Sequence, residues 1–344
     1  MNNFHHHVFS RILTVVFAVC FSGSLFAAEP VKIIFDTDML TDPEDVNALC
    51  LLHAFADKGE AEILAVTCNG HDTNRASGAA VDTVNTFHGR PDIPIGTYRK
   101  GSDPVRNVKS PITVPMRDKF PHKAPNDDEL PSALEIYRRI LASQPDKSVA
   151  IVFVGHLHNL KDLLDSKPDK YSDLNGKELI RKKVKLFSIM GGKFPQGKEH
   201  NFFQGGAGTI TKYVTENLPD EVPVVFSGYE IGERIISGKK YKEQLPASPL
   251  RTALENNYNA INQGRHSWDE TSVIYAIRGN VYQGKEYWKL QSQGSVLVNE
   301  DGSNQWVPTP DKNQSYLIES APPDSLAELM EGMILESINR ALKK

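Results

Sequence analysis

Short apolar runs of strand length alternate with stretches whose apolar residues recur at helical spacing. This alternation restricts the fold more than any other feature of the chain. The strand-like runs are residues 31–35, 63–67, 149–154, 184–190 and 222–226. Helical spacing follows at 46–56, 76–87 and near 160–164. Mainly apolar strands alternating with helices imply right-handed crossovers and a mostly parallel, covered sheet. The expected class is therefore α/β: a mostly parallel open sheet covered by helices. Two features extend it. Alternating runs within 287–318 flank Asn299-Glu300-Asp301-Gly302, a signal for a small C-terminal β-hairpin region. Residues 326–342 read as a closing amphipathic helix. Residues 99–131 are rich in Pro, Lys, Asp and Asn and show no period, which predicts a long loop.

The chain has 344 residues, enough for one large core. Its first segment reads differently. Arg11 precedes an apolar run over 12–21, and small residues lead to Ala27-Ala28, the pattern of a secretory signal peptide. The run is short for a transmembrane helix. The expectation is a signal peptide over 1–28, a single domain over 29–344, a secreted or periplasmic location, and no stable membrane association after cleavage. Lys+Arg (39) nearly balance Asp+Glu (43), so no broad basic field attracts nucleic acid. The partner to expect is a small molecule; a monomer and a homo-oligomer fit equally. After cleavage Cys50 and Cys68 remain, either as two buried thiols or as one bridge.

In open α/β sheets, ligands bind beyond the carboxyl ends of the strands. The first strand ends in Asp36-Thr37-Asp38-Met39-Leu40-Thr41-Asp42-Pro43-Glu44-Asp45. An acidic cap on a helix opening near Pro43 accounts for Glu44 and Asp45. It does not account for Asp36 and Asp38, at the inner end of the strand. Buried acids need a cation or a proton, and hard oxygen ligands favour Ca²⁺ or Mg²⁺.

The stretch 33–49 resembles the signature of the inosine-uridine preferring nucleoside hydrolase family, Asp-x-Asp-Pro-Gly-x-Asp-Asp-x-x-Ala, in a variant two residues longer with Met39-Leu40 in place of Pro-Gly. The resemblance implies that Asp38 binds calcium and takes the proton from water, and that Asp45 is a second calcium ligand. It places Glu44 against a ribose hydroxyl and Asn69 near the sugar. Gly155-His156-Leu157-His158-Asn159 is similar to the family's Gly-Pro-Leu-Thr-Asn, so His158 stands where a backbone carbonyl meets calcium. Glu199-His200-Asn201 resembles Glu-Phe-Asn, whose Glu and Asn grip ribose hydroxyls; Lys193 falls near a further family asparagine. Ser267-Trp268-Asp269 stands where many members have His-Asp, making Asp269 a calcium ligand and Trp268 a residue that stacks on the base or simply packs. With that histidine replaced, His266 is a candidate general acid.

These residues suit breakage of a ribosyl C–N bond. The sugar becomes cationic at the transition state, so an anionic floor stabilises it more than the ground state. Hydrogen bonds to its hydroxyls favour ribose over 2′-deoxyribose. The expected activity is calcium-dependent N-glycosidic hydrolysis of a riboside. The alternative is a calcium-dependent sugar or nucleoside binder with lost or weak turnover. Two other readings fail on residues. A haloacid dehalogenase phosphatase needs a late Gly-Asp pair, which is absent. The P-loop-like run 192–198 is followed by Glu199 rather than Ser or Thr.

Overall fold

The computed structural model describes residues 29–99, 107–309 and 312–343. The expected signal peptide lies outside the described residues. Eight strands form the main sheet, in the order Trp288–Gln291, Gln314–Glu319, Val224–Ser227, Val184–Met190, Val149–Phe153, Val31–Thr37, Ala61–Cys68 and Ile95–Thr97. Every neighbouring pair is parallel except the edge pair Trp288–Gln291 and Gln314–Glu319. This is the expected covered, mostly parallel α/β sheet.

Side-chain alternation along the first strand shows how both faces are filled. Ile33 and Phe35 pack into one buried cluster and Ile34 into the other. The first cluster lies under the helices Glu44–Asp57, Trp268–Arg278 and Pro323–Ala341; the second lies under Ala133–Ser143, His158–Asp165, Gly176–Lys183 and Gly208–Asn217. The helix Glu44–Asp57 is buried from Glu44 to Phe55 because it is enclosed on several sides, which explains its apolar character all round. On the opposite face the helices are more amphipathic and carry caps. The Ser132 hydroxyl accepts from the Glu135 amide, and Asn175 and Glu178 form a reciprocal capping box.

The C-terminal hairpin forms as expected between Ser295–Val298 and Ser303–Val307, and the strand Gln196–Lys198 joins it. That strand carries the end of the P-loop-like run, and the short helix that opens after it, His200–Phe203, is capped by the Glu199 carboxylate, which takes the place a phosphate would need. Trp288–Gln291 and Gln314–Glu319 join the main sheet instead, which the sequence reading left within the hairpin region. The expected loop over 99–131 holds a short strand, Asn107–Val108, and a helix, Thr113–Lys119. Cys50 and Cys68 are free and buried. Among the described residues, no helix is long and apolar enough to cross a membrane.

Candidate active site

The first strand delivers two acids to different fates. Asp36 is fully buried and accepts hydrogen bonds from Asn69 Nδ2 (2.6 Å), Tyr137 OH (2.8 Å), Asn159 Nδ2 (2.8 Å) and the Thr67 hydroxyl. These donors satisfy the carboxylate without any cation. Burial nevertheless pushes its pKa up to about 6 against the pull of those bonds. Asp38, beyond the strand end, lines a cavity of about 200 Å³ at the carboxyl edge of the sheet. Gly155 lets the neighbouring strand end approach it. A Cβ there would stand 2.8 Å from the Asp38 amide nitrogen and 2.6 Å from Asn69 Oδ1.

The longer loop after Asp38 turns through Met39, whose φ of 40° is left-handed. The Met39 amide donates to Thr37 Oγ1 (3.1 Å) and Asp45 Oδ1 (3.2 Å), and the Thr37 hydroxyl also donates to Asp45. Glu44 and Asp45 occupy the first turn of their helix; Asp269 and Glu270 occupy the first turn of Trp268–Arg278. Two helix N-termini thus hold acids at one cavity, where their dipoles favour negative charge.

Asp38, Asp42, Glu44, Asp45, Glu199 and Asp269 all line that cavity. Burial, then the charges of Asp45, Glu44 and their neighbours, hold the Asp269 carboxyl far above its ordinary range. Burial and the Asp38 charge do the same to Asp45. Burial raises Glu199 to about 7. The donor set is buried, oxygen-only and crowded with negative charge, and it fits a hard divalent cation. Among the described residues no three His, Cys, Asp or Glu side chains are already drawn into a metal cage.

The remaining expected residues divide. Glu199 Oε1 accepts from the Asn201 amide (2.8 Å) and Oε2 from the Gly192 amide (3.0 Å), which fixes both residues at the cavity wall. Trp268 lines the cavity, but as a packed residue. Its ring centre is 5.2 Å from that of Tyr229 and 4.8 Å from that of His266, and its Nε1 donates to the Tyr229 carbonyl (2.8 Å). Asn69, His158 and His266 are not among the lining residues. Asn69 is committed at both ends, donating to Asp36 and accepting the His156 amide (2.9 Å). The buried His158 ring packs against Tyr98 and His156, and its segment presents Val154 to the cavity. His266 turns outward, with Nδ1 on the Glu233 carbonyl at 2.6 Å. Lys193 exchanges backbone hydrogen bonds with the Asn304 side chain, both 2.9 Å.

Sequence reasoning missed Arg265, Tyr258 and Tyr229, all of which line the cavity. Arg265 Nε stands 2.9 Å from Glu44 Oε2, and its guanidinium lies 4.2 Å from the Tyr258 ring centre. Glu44, expected at the sugar, is therefore engaged by a cation. Its pKa still rises to about 7, because burial outweighs the ion pair. Arg265 stands just before Ser267-Trp268-Asp269, in a two-residue strand, Arg265-His266, that pairs with Ile236-Ser237.

No family model matches the chain, and neither does any curated protein. Solved structures do. The effector protein XOO4466 aligns at TM-score 0.65 and 14% identity, over 91% of this chain and 95% of its own. The type III effector protein XopQ, solved in complex with adenosine diphosphate ribose, aligns at TM-score 0.63 and 13% identity, over 91% and 95%. An inosine-guanosine nucleoside hydrolase aligns at TM-score 0.62 and 16% identity, over 90% and 98%. The fold is that of the nucleoside hydrolases. The nucleoside hydrolase fold is shared by a hydrolase and by effectors, so the fold alone does not decide activity.

Proposed function

We propose that the protein is a calcium-dependent hydrolase that cleaves the N-glycosidic bond of ribonucleosides or related ribosides outside the cytoplasm. One observation carries this reading: Asp38, Asp45 and Asp269, from segments far apart in sequence, line the same small cavity as Glu199 and Asn201. Asp38, Asp45 and Asp269 would hold Ca²⁺, which when bound supplies a water of lowered pKa. Asp38, at the strand end, accepts the proton that water loses. The carboxylate floor stabilises the cationic sugar of the transition state. Glu199 and Asn201, locked to each other and to the strand end Val184–Met190, grip sugar hydroxyls. Trp268, Tyr229 and Tyr258 form an aromatic wall for a planar base.

The engagement of Glu44 by Arg265 and the outward turn of His266 favour a second reading, a riboside binder without turnover. One assay separates the two. The purified protein is incubated with inosine and with p-nitrophenyl riboside, in calcium and in excess chelator. Calcium-dependent release of base or phenolate is the expected outcome. Calcium-dependent binding of inosine, seen by calorimetry without release from either substrate, would establish the binder instead.

A further inference from the structure

The cavity that suits a cationic sugar is a poor place for a leaving base. When the C–N bond breaks, its electron pair goes to the base nitrogen, and negative charge forms beside six lining carboxylates. A proton donor would remove the problem, yet His266 does not line the cavity, and its Nδ1 is held on the Glu233 carbonyl at 2.6 Å. Among the lining residues one side chain is permanently cationic, Arg265. Its side chain is only 21% exposed, so its charge acts through little water. Tyr258 and Trp268 stand 4.2 and 5.5 Å from the guanidinium, and Glu44 meets Nε at 2.9 Å. These contacts fix the plane of the group on the aromatic wall. Asp42 is 4.0 Å from a terminal nitrogen, beyond hydrogen-bond length, which leaves the terminal N–H groups as donors toward a ligand.

We infer that Arg265 stabilises the leaving group, donating hydrogen bonds to the departing base and offsetting the negative charge that forms on it. The inference rests on the hydrolase reading of the site. The step balances. A water oxygen bonds to the anomeric carbon, its proton passes to Asp38, and the C–N pair leaves with the base, which takes a proton from solvent after release. Arg265 shares no proton; it acts by charge and direction. The substrate class follows: ribosides whose leaving group is a planar heterocycle with an acceptor atom in its plane.

The test compares two leaving groups on the calcium-loaded full chain. Inosine needs help to release its base, whereas p-nitrophenolate departs readily as an anion. Arg265→Gln is expected to lower kcat/KM for inosine by about 10²-fold, the usual loss for one preorganised donor, and to lower the phenyl riboside value far less. Arg265→Lys, which keeps the charge, is expected to recover part of the inosine rate. Thermal midpoints of both variants, measured beside the wild type, report any loss of folding. Equal losses on the two substrates, with no recovery by Lys, overturn the inference and reduce Arg265 to a holder of Glu44. A wild type that cleaves neither substrate overturns the hydrolase reading and the inference together.

Discussion

At the scale of single residues, the acids after the first strand separate by the donors that surround them. Asp36 is saturated by four side-chain donors, whereas Asp38 faces the cavity with Asp45 and Asp269 coupled to it by charge. On the proposed reading, the group that takes the proton from water is Asp38. Asp38→Asn keeps the volume and removes the base, so kcat for inosine should fall by about 10²–10⁴-fold with the far-ultraviolet circular dichroism unchanged. A variant that keeps most of its rate would move the base elsewhere. Asp38 and Asp45 were legible in the sequence as part of a dense run of acids at a strand end, and Asp269 only through the family resemblance of Ser267-Trp268-Asp269. For Asn69 the family resemblance gives a place near the sugar, and the structure adds contacts that the sequence does not show: its side-chain amide donates to Asp36 and accepts from the His156 amide. The sequence pointed to the segment before Trp268 but to the wrong neighbour: Arg265 lines the cavity and His266 does not, and the two-residue strand that sets this has no signature in sequence.

At the scale of elements, Asp36 ties the first strand to its surroundings. Its donors come from the strand Ala61–Cys68, from the loop just after it, and from the helices Ala133–Ser143 and His158–Asp165. Asp36→Asn puts an amide donor among groups that all donate. At least one buried donor then lacks an acceptor, at a cost of about 2 kcal/mol or more. The urea midpoint should fall accordingly; an unchanged midpoint would show that these contacts do not hold the strand ends together. Strands were readable from sequence where both faces are buried, since few polar residues interrupt the run; Val184–Met190, broken only by Lys185 and Ser188, has the bounds expected. The helices Gly176–Lys183 and Gly208–Asn217 were not read. Their buried faces are narrow and their surfaces charged or Thr-rich, so no apolar period stands out. Trp288–Gln291 was assigned to the hairpin because an edge strand half open to solvent has the same alternation as a hairpin arm.

At the scale of the whole molecule, the buried acids tie stability to pH and, on the proposed reading, to calcium: a rise in pH lowers it and calcium restores it. Burial raises Asp36 from 3.8 to about 6, Glu44 and Glu199 from 4.5 to about 7, and Glu270 from 4.5 to about 8. Below about pH 4 both the folded and the unfolded chain hold these protons, and nothing is lost on folding. As pH rises, the unfolded chain releases its protons first while the folded chain still binds them, so unfolding gains favour. These groups should therefore lower stability progressively from about pH 4.5 to about pH 8. Arg265 offsets part of this at Glu44. Asp45 and Asp269, held well above their ordinary range, add to it. A divalent cation held by the cavity carboxylates, as proposed, would take the place of protons at the high-pH side of the titration, and would stabilise only the state that binds it. In excess chelator the thermal midpoint should decline between about pH 5 and pH 8. Saturating Ca²⁺ should raise the midpoint at pH 8 by clearly more than at pH 5, with the slope against pH flattened. An increment of equal size at both pH values would place calcium away from these carboxylates, and no increment at all would leave protons as their only counter-charge.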